Sequence, residues 1–239
     1  MKYYQELMTS KGRKEHGAFI VEGIRQISQI VQSKDIKIFE ILTVEPLDFA
    51  TNVTVKYINR SQLNKITETK TPNGSIAIVQ IPRVKEIDAK TTKGNILLLE
   101  DIQDPGNVGN LVRTAAAFGF SAVILSRGCA DIYSPKVVRS TGGAICNLDI
   151  ISRKDIFDCV ATLKKQGYQL AVADLDGKKE LSIGKNEKVL LALGNEGNGV
   201  SGKLKSIADF VFTIPFNSNK IESLNVSSAG AIAMYLLRN

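Results

Sequence analysis

Asn107, Asn110, Arg113 and Thr114 stand at spacings of three and one behind a short apolar run, Ile96-Leu97-Leu98-Leu99. Wound at about 100° per residue, they share one side of a helix, while Val108, Leu111, Val112, Ala115 and Phe118 share the other. Asp104 is suited to cap that helix and Pro105 to open it. Two amides and one guanidinium at the end of a buried strand can grip an anion or a ribose. A second segment of the same kind, Gly194-Asn195-Glu196-Gly197-Asn198-Gly199, follows the apolar run Val189-Leu190-Leu191-Ala192-Leu193. Loops at strand ends are the usual ligand position in α/β sheets. Its glycine order matches neither the dinucleotide nor the P-loop pattern. A third, Glu222-Ser223-Leu224-Asn225-Val226-Ser227-Ser228, opens the final apolar helix, with Ser223 the expected N-cap.

The rest of the composition narrows the chemistry. His16 is the one histidine in 239 residues, which excludes a His-rich metal site and leaves a Ser-His-Asp triad dependent on a residue expected in a basic loop. Proton chemistry therefore falls to Arg, Glu, Asn, Ser or the substrate, and no metal is expected. Cys129, Cys146 and Cys159 have no Cys-x-x-Cys spacing, the usage of a reducing, cytoplasmic compartment. No apolar run reaches the roughly 20 residues of a membrane span, and Met1-Lys2-Tyr3-Tyr4 does not begin a signal peptide. The formal net charge is +7. The excess lies early, with Lys2, Lys11, Arg13 and Lys14, and suits a polyanionic partner such as nucleic acid.

These residues need a scaffold. Residues 1–81 read as a small α/β domain, with a helix over 22–33, strands at 39–44, 53–58 and 75–81, and a short helix at 61–67. Residues 82–94 read as a linker. From 95 to 239 strands at 96–101, 122–126, 148–151, 169–173, 189–193 and 210–214 alternate with helices at 106–118, 134–140, 154–166, 201–206 and 224–237. Continuous apolar strands in that alternation predict a parallel sheet covered on both faces. Asp174-Leu175-Asp176-Gly177 reads as a turn, and Tyr133 and Arg139 as residues within reach of a substrate. The small residues from Ser227 to Ala233 predict close approach of a neighbouring element.

Taken in order, Asp101-x-x-Asp104-Pro105-x-Asn107-x-Gly109-x-x-x-Arg113-Thr114-Ala115, Leu193-Gly194-Asn195-Glu196-Gly197-x-Gly199-x-Ser201, and Ile214-Pro215 with Ser223-Leu224-Asn225-Val226-Ser227-x-Ala229 resemble the SpoU family of RNA 2′-O-ribose methyltransferases within the SPOUT superfamily. Lys11-x-Arg13, Phe19-Ile20-Val21-Glu22-Gly23-x-Arg25 and Thr71-Pro72-x-Gly74 resemble the small substrate-binding domain many members carry. The resemblance implies an α/β SPOUT domain with a parallel sheet and a deep trefoil knot, a feature no periodicity argument predicts. It implies a homodimer and S-adenosylmethionine as cofactor, lined by Leu193, Gly194, Asn195, Gly197, Ile214, Ser223, Leu224 and Asn225. Asn107, Arg113, Glu196, Ser223 and Asn225 are then the expected catalytic set. Arg113 would hold a phosphate and the developing alkoxide, and Glu196 would orient Arg113 or Asn107. Lys11, Arg13, Lys14 and Arg25 are expected to meet RNA, ribosomal RNA ahead of tRNA. The rival readings are a tRNA 2′-O-methyltransferase, an RNA-binding member without activity, and a dinucleotide-dependent α/β enzyme. One departure stands out. Members commonly carry a glycine soon after the Ile-Pro pair, whereas this chain reads Phe216-Asn217-Ser218-Asn219-Lys220-Ile221, with no glycine and one extra residue.

Overall fold

The computed structural model describes residues 1–33, 36–69, 71–82, 94–152, 155–178 and 187–238. The chain divides into two compact units, Met1–Arg83 with Asp131–Cys146, and Val84–Ala130 with Asn147–Asn239. The expected split at 82–94 separates the same two sheets, but residues 131–146 pack with the first unit rather than the second. Most of the expected linker, 83–93, lies outside the described residues.

The first unit opens with two short helices, α1 (Lys2–Glu6) and α2 (Ser10–His16), then β1 (Ala18–Glu22), α3 (Ile24–Val31), β2 (Ile38–Thr43), β3 (Val55–Tyr57), α4 (Arg60–Asn64) and β4 (Ser75–Gln80). Its sheet runs β1-β4-β2-β3. β4 lies antiparallel to β1 and β2, and β2 lies parallel to β3. Leu7, Ala18, Ile20, Leu42, Leu63, Ile66, Ile76 and Ile78 form its core on one face. The expected helix over 22–33 begins later because Ala18–Glu22 is a fully buried strand, and a short apolar run does not distinguish the two by periodicity.

Four expectations from the sequence are corrected by the contacts of this unit. His16 is not in a loop. It ends α2, its Nε2 lies 2.8 Å from Glu6 Oε2, and its ring packs edge-on against Tyr3. Arg13 is not a surface cation. It is 4% exposed, donates to the carbonyls of Leu7 and Met8 at 3.0 and 2.9 Å, and pairs with Asp131 at 2.5 Å. A guanidinium so committed is structural, whereas Lys11, Lys14 and Arg25 remain exposed. Arg139, expected near a substrate, donates to Thr69 Oγ1 and pairs with Glu22. Tyr133, expected there too, packs against Phe19, and burial raises its phenol to about 12.

The second unit alternates β5 (Ile96–Leu99), α5 (Pro105–Ala117), β6 (Ala122–Leu125), β7 (Asp149–Ser152), α7 (Phe157–Lys165), β8 (Tyr168–Lys178), β9 (Lys188–Leu193), α8 (Gly202–Ser206), β10 (Phe210–Phe212) and α9 (Val226–Leu236). The intervening α6 (Pro135–Thr141) and a single 3-10 turn at Ala144–Cys146 belong to the first unit. The sheet order is β10-β8-β9-β5-β6-β7, and every pairing is parallel. One face packs Ile156, Val160, Leu163, Val200 and Leu204 against Leu98, Leu170 and Leu190. Asp174 to Gly177 do not form the expected turn. They extend β8, where a Cβ on Gly177 would come within 2.3 Å of the Phe212 backbone.

The other face carries α5 and α9, and the small residues of α9 explain how both fit. A Cβ on Gly230 would lie 2.3 Å from Leu111 Cδ2 and 2.7 Å from Leu193 Cδ1. Buried Asn95 fastens the same region, donating to the Leu237 carbonyl at 2.8 Å and accepting from the Val189 N–H at 3.0 Å. Gly230→Ala should overpack this face and lower stability by about 2 kcal/mol. Arg13→Ala, by removing the cation beside Asp131 and the donor to two carbonyls, should cost about 3 kcal/mol. Urea unfolding of each variant measures both losses, and wild-type midpoints would refute the packing argument.

Candidate active site

The loops at the C-terminal ends of β5, β9 and β10 build the site. Asp104 caps α5 by accepting from the Asn107 N–H at 2.8 Å, and Pro105 occupies the first turn. This fixes Asn107 at the mouth of the helix. Val108, Leu111, Val112 and Ala115 are fully buried, so the polar side of α5 faces outward as the spacing requires.

Asn107 is the hub. Its Nδ2 donates to Glu196 Oε1 at 2.8 Å, and its Oδ1 accepts from Asn225 Nδ2 at 3.2 Å. Asn225 is itself held, its Oδ1 accepting from the Ser227 N–H at 2.9 Å and the Ser227 hydroxyl at 2.6 Å. Asn225, not Ser223, caps the final helix, which starts at Val226 instead of Leu224. Both residue types cap well, and the one whose oxygen reaches the free N–H wins. Glu196 bonds Asn107 and makes no ion pair with Arg113. Among the described residues Arg113 has no charged or hydrogen-bonded partner. It is exposed, six residues or roughly 9 Å further along the polar side of α5. Its guanidinium is free to meet a ligand anion.

The loop carrying Glu196 is stiff. Asn195 and Gly199 exchange backbone hydrogen bonds at 3.1 and 2.9 Å. The Asn195 side chain accepts from the N–H groups of Gly197 and Asn198 at 2.9 and 3.2 Å, and its Nδ2 donates to the Asp101 carbonyl at 2.9 Å. Ser201 caps α8. The Glu100 carboxylate, 8% exposed, accepts from the Ser201 N–H at 2.7 Å. Neither Glu100 nor the turn-making role of Asn195 is evident from periodicity, although an Asn between glycines is a local signal for side-chain-to-backbone bonding.

These loops enclose a cleft of about 640 Å³, lined among others by Leu193, Gly194, Asn195, Gly197, Ile214, Ser223, Leu224 and Asn225. The structure thus brings together all eight residues expected to share a pocket. That volume lies within the range of small-molecule sites, roughly 300–1,000 Å³. Phe216 and Leu224 add apolar wall, while Glu196, Glu222 and Asp176 add carboxylates. The glycine-free loop after Pro215 turns on Asn217, whose Oδ1 accepts from the Asn219 N–H at 3.1 Å and whose carbonyl accepts from the Lys220 N–H at 3.1 Å. Asn217 closes this turn through its side-chain oxygen, without the positive φ that glycine supplies in other turns. Among the described residues no three His, Cys, Asp or Glu side chains are grouped to hold a metal, and no helix is long and apolar enough to cross a membrane.

Residues 94–235 match the SpoU rRNA Methylase family, and residues 1–77 match the MRM3-like substrate binding domain. Over its whole length the chain is 32% identical to the 23S rRNA (guanosine(2553)-2′-O)-methyltransferase RlmP of Bacillus subtilis (strain 168), covering 95% of that protein. It is 25% identical to the 23S rRNA (adenosine(1067)-2′-O)-methyltransferase of Streptomyces laurentii, over 95% of this chain and 88% of that one. The solved structure of an AdoMet-bound rRNA methyltransferase from Sinorhizobium meliloti shares the fold with a TM-score of 0.86 at 26% identity, covering 99% of this chain and 93% of that chain.

The cleft depends on glycine at 194. A Cβ there would lie 2.2 Å from the Gly199 carbonyl carbon and oxygen and 2.3 Å from the Val200 nitrogen, all backbone atoms that cannot turn aside. Gly194→Ala should displace the 195–199 loop, break the Glu196–Asn107 bond and lower stability by about 1–3 kcal/mol. Thermal unfolding together with the Asn107 side-chain amide resonance would report both changes, and an unshifted resonance would contradict this account.

Proposed function

The chain belongs to the SpoU rRNA methylase family, and we propose that it methylates a ribose 2′-hydroxyl of ribosomal RNA with S-adenosylmethionine as its cofactor. The observation that carries this reading is the hydrogen-bonded series Glu196–Asn107–Asn225, drawn from three separate segments at a nucleoside-sized cleft, on the helix that also carries Arg113, which has no partner among the described residues.

The cleft fits the cofactor in size and lining. Leu193, Ile214 and Leu224 offer apolar walls for a purine. Gly194 and Gly197 let backbone approach closely, and Ser223 and Asn225 supply polar groups. When bound, the cofactor supplies an electrophilic methyl group. The protein's own share is positioning and charge. Asn107, its amide fixed by Glu196 and Asn225, orients the ribose beside the cleft. Arg113 does not act as a base, because its charged guanidinium offers donors and no acceptor. It binds the neighbouring phosphate and stabilises negative charge developing on the 2′-oxygen, while the proton passes to phosphate or water. Glu196 keeps Asn107 in one orientation rather than contacting the oxygen.

The same proposal includes the trefoil knot implied by the sequence resemblance. Close glycine contacts, Gly194 on Gly199 and Gly177 on Phe212, are compatible with a tightly threaded C-terminal segment. It also includes a homodimer. Ile232, Tyr235 and Leu236 are 40, 50 and 58% exposed at helical spacing on α9, an apolar stripe suited to a second copy. Lys11, Lys14 and Arg25 are exposed cations of the first unit and are available to RNA. A cytoplasmic setting accords with free thiols at all three cysteines.

The test is methyl transfer from labelled S-adenosylmethionine to unmodified ribosomal RNA and to tRNA in parallel, with the product nucleoside identified by mass spectrometry. A 2′-O-methylated nucleoside from ribosomal RNA is expected. Arg113→Ala should retain cofactor affinity and lose turnover by about 100-fold or more, so full turnover in that variant would overturn its role. Leu236→Glu should convert the dimer to a monomer in sedimentation, and a monomeric wild-type protein would refute the dimer.

A further inference from the structure

Asp101 is the one non-glycine residue with positive φ among the described residues, at φ 56°. This left-handed conformation is uncommon for any residue with a Cβ, though Asp and Asn tolerate it best. It falls between the end of β5 and the cap of α5, where the chain turns into the site. Three contacts hold it. The Ser126 hydroxyl donates to Asp101 Oδ1 at 2.5 Å and accepts from the Asp101 N–H at 2.9 Å. The carboxylate rests on Gly128, where a Cβ would stand only 2.2 Å from Oδ1. The Asp101 carbonyl accepts from Asn195 Nδ2 at 2.9 Å.

That last bond gives the strain a consequence. Asn195 organises the Glu196 loop through the N–H groups of Gly197 and Asn198, and Glu196 fixes the Asn107 amide. We propose that Asp101 is a positioning residue: its left-handed turn, pinned by Ser126 and seated on Gly128, aims a backbone carbonyl at Asn195 and so sets Glu196 and Asn107 for the transfer step. The consequence for turnover rests on the methyltransferase reading above, whereas the geometric part does not. Asp101 reaches the reaction through a turn and an amide, so its substitution should lower kcat and leave the affinities for cofactor and RNA alone. Asparagine should replace it, because Asn adopts the same conformation and its Oδ1 accepts the same hydroxyl bond.

The experiment compares wild type, Asp101→Ala, Asp101→Asn and Ser126→Ala. Amide hydrogen exchange at Gly197 and Asn198 is read by NMR, and steady-state methyl transfer is read on ribosomal RNA. Asp101→Ala should lose protection at both amides about 10-fold and lose kcat about 10-fold, with KM for RNA and cofactor affinity within about twofold. Asp101→Asn should match wild type in both readouts, and Ser126→Ala should fall between. Unchanged exchange in Asp101→Ala, a loss expressed in KM, or an Asn variant as impaired as the Ala variant would each overturn the proposal. If the wild-type chain transfers no methyl group to RNA, the functional reading fails by itself, and the exchange data still decide whether Asp101 sets the loop.

Discussion

The site depends on one side chain making two hydrogen bonds at once. Asn107 donates to Glu196 and accepts from Asn225, and an amide can do both only in a single orientation, because its nitrogen and oxygen have opposite roles. Each bond spans about a hundred residues of sequence. Three elements with no local reason to meet are thereby held in register. Every other local feature serves that arrangement: the Asp104 cap that places Asn107, the Asn195 turn that stiffens the Glu196 loop, and the Ser227 bonds that hold Asn225.

The parallel sheet makes the meeting possible. Because all strands of the second unit run the same way, β5, β9 and β10 release their loops at one edge, as open α/β sheets do around ligand sites. What distinguishes this edge is the closeness of its backbones. Gly194 lies against Gly199 and Val200, and Gly230 lets α9 settle on Leu111 and Leu193. Removing side chains at these points lets the polar network close over short distances. The cost falls on local conformation, most visibly at Asp101.

The local features were legible in the sequence. The polar and apolar sides of α5, its Asp-Pro start and the apolar strands each depend on neighbours within a few residues. The ordered motifs also named the residues that line the cleft. What could not be read depends on distant partners. Arg13 belongs to a basic opening and reads as a surface cation, but Asp131, 118 residues away, makes it structural. Ser223 and Asn225 are equally good caps on paper, and the oxygen that accepts from the Ser227 N–H is that of Asn225, whose Nδ2 also donates to distant Asn107. Asp174 to Gly177 carries turn residues, yet β8 runs on through them to Lys178, which pairs with Phe212 across a register shift. Residues 131–146 alternate like the rest of the C-terminal half, and only the packing of α6 against β1 assigns them to the first unit.

The chemistry assigned to the cleft has a further consequence for selectivity. A 2′-hydroxyl and its flanking phosphate are the same in all four ribonucleosides, so with the roles proposed for Asn107, Arg113 and Asn225 the site reads sugar and backbone and carries no information about the base. Discrimination between RNA positions must then come from surfaces outside this network. Structured RNA is recognised largely by shape and by contacts to its backbone, which cations such as Lys11, Lys14 and Arg25 can make. The division of the chain into a reacting unit and a second unit matched to a substrate-binding domain follows that logic. A rigid network conserves one reaction geometry, and the choice of RNA can change without disturbing it.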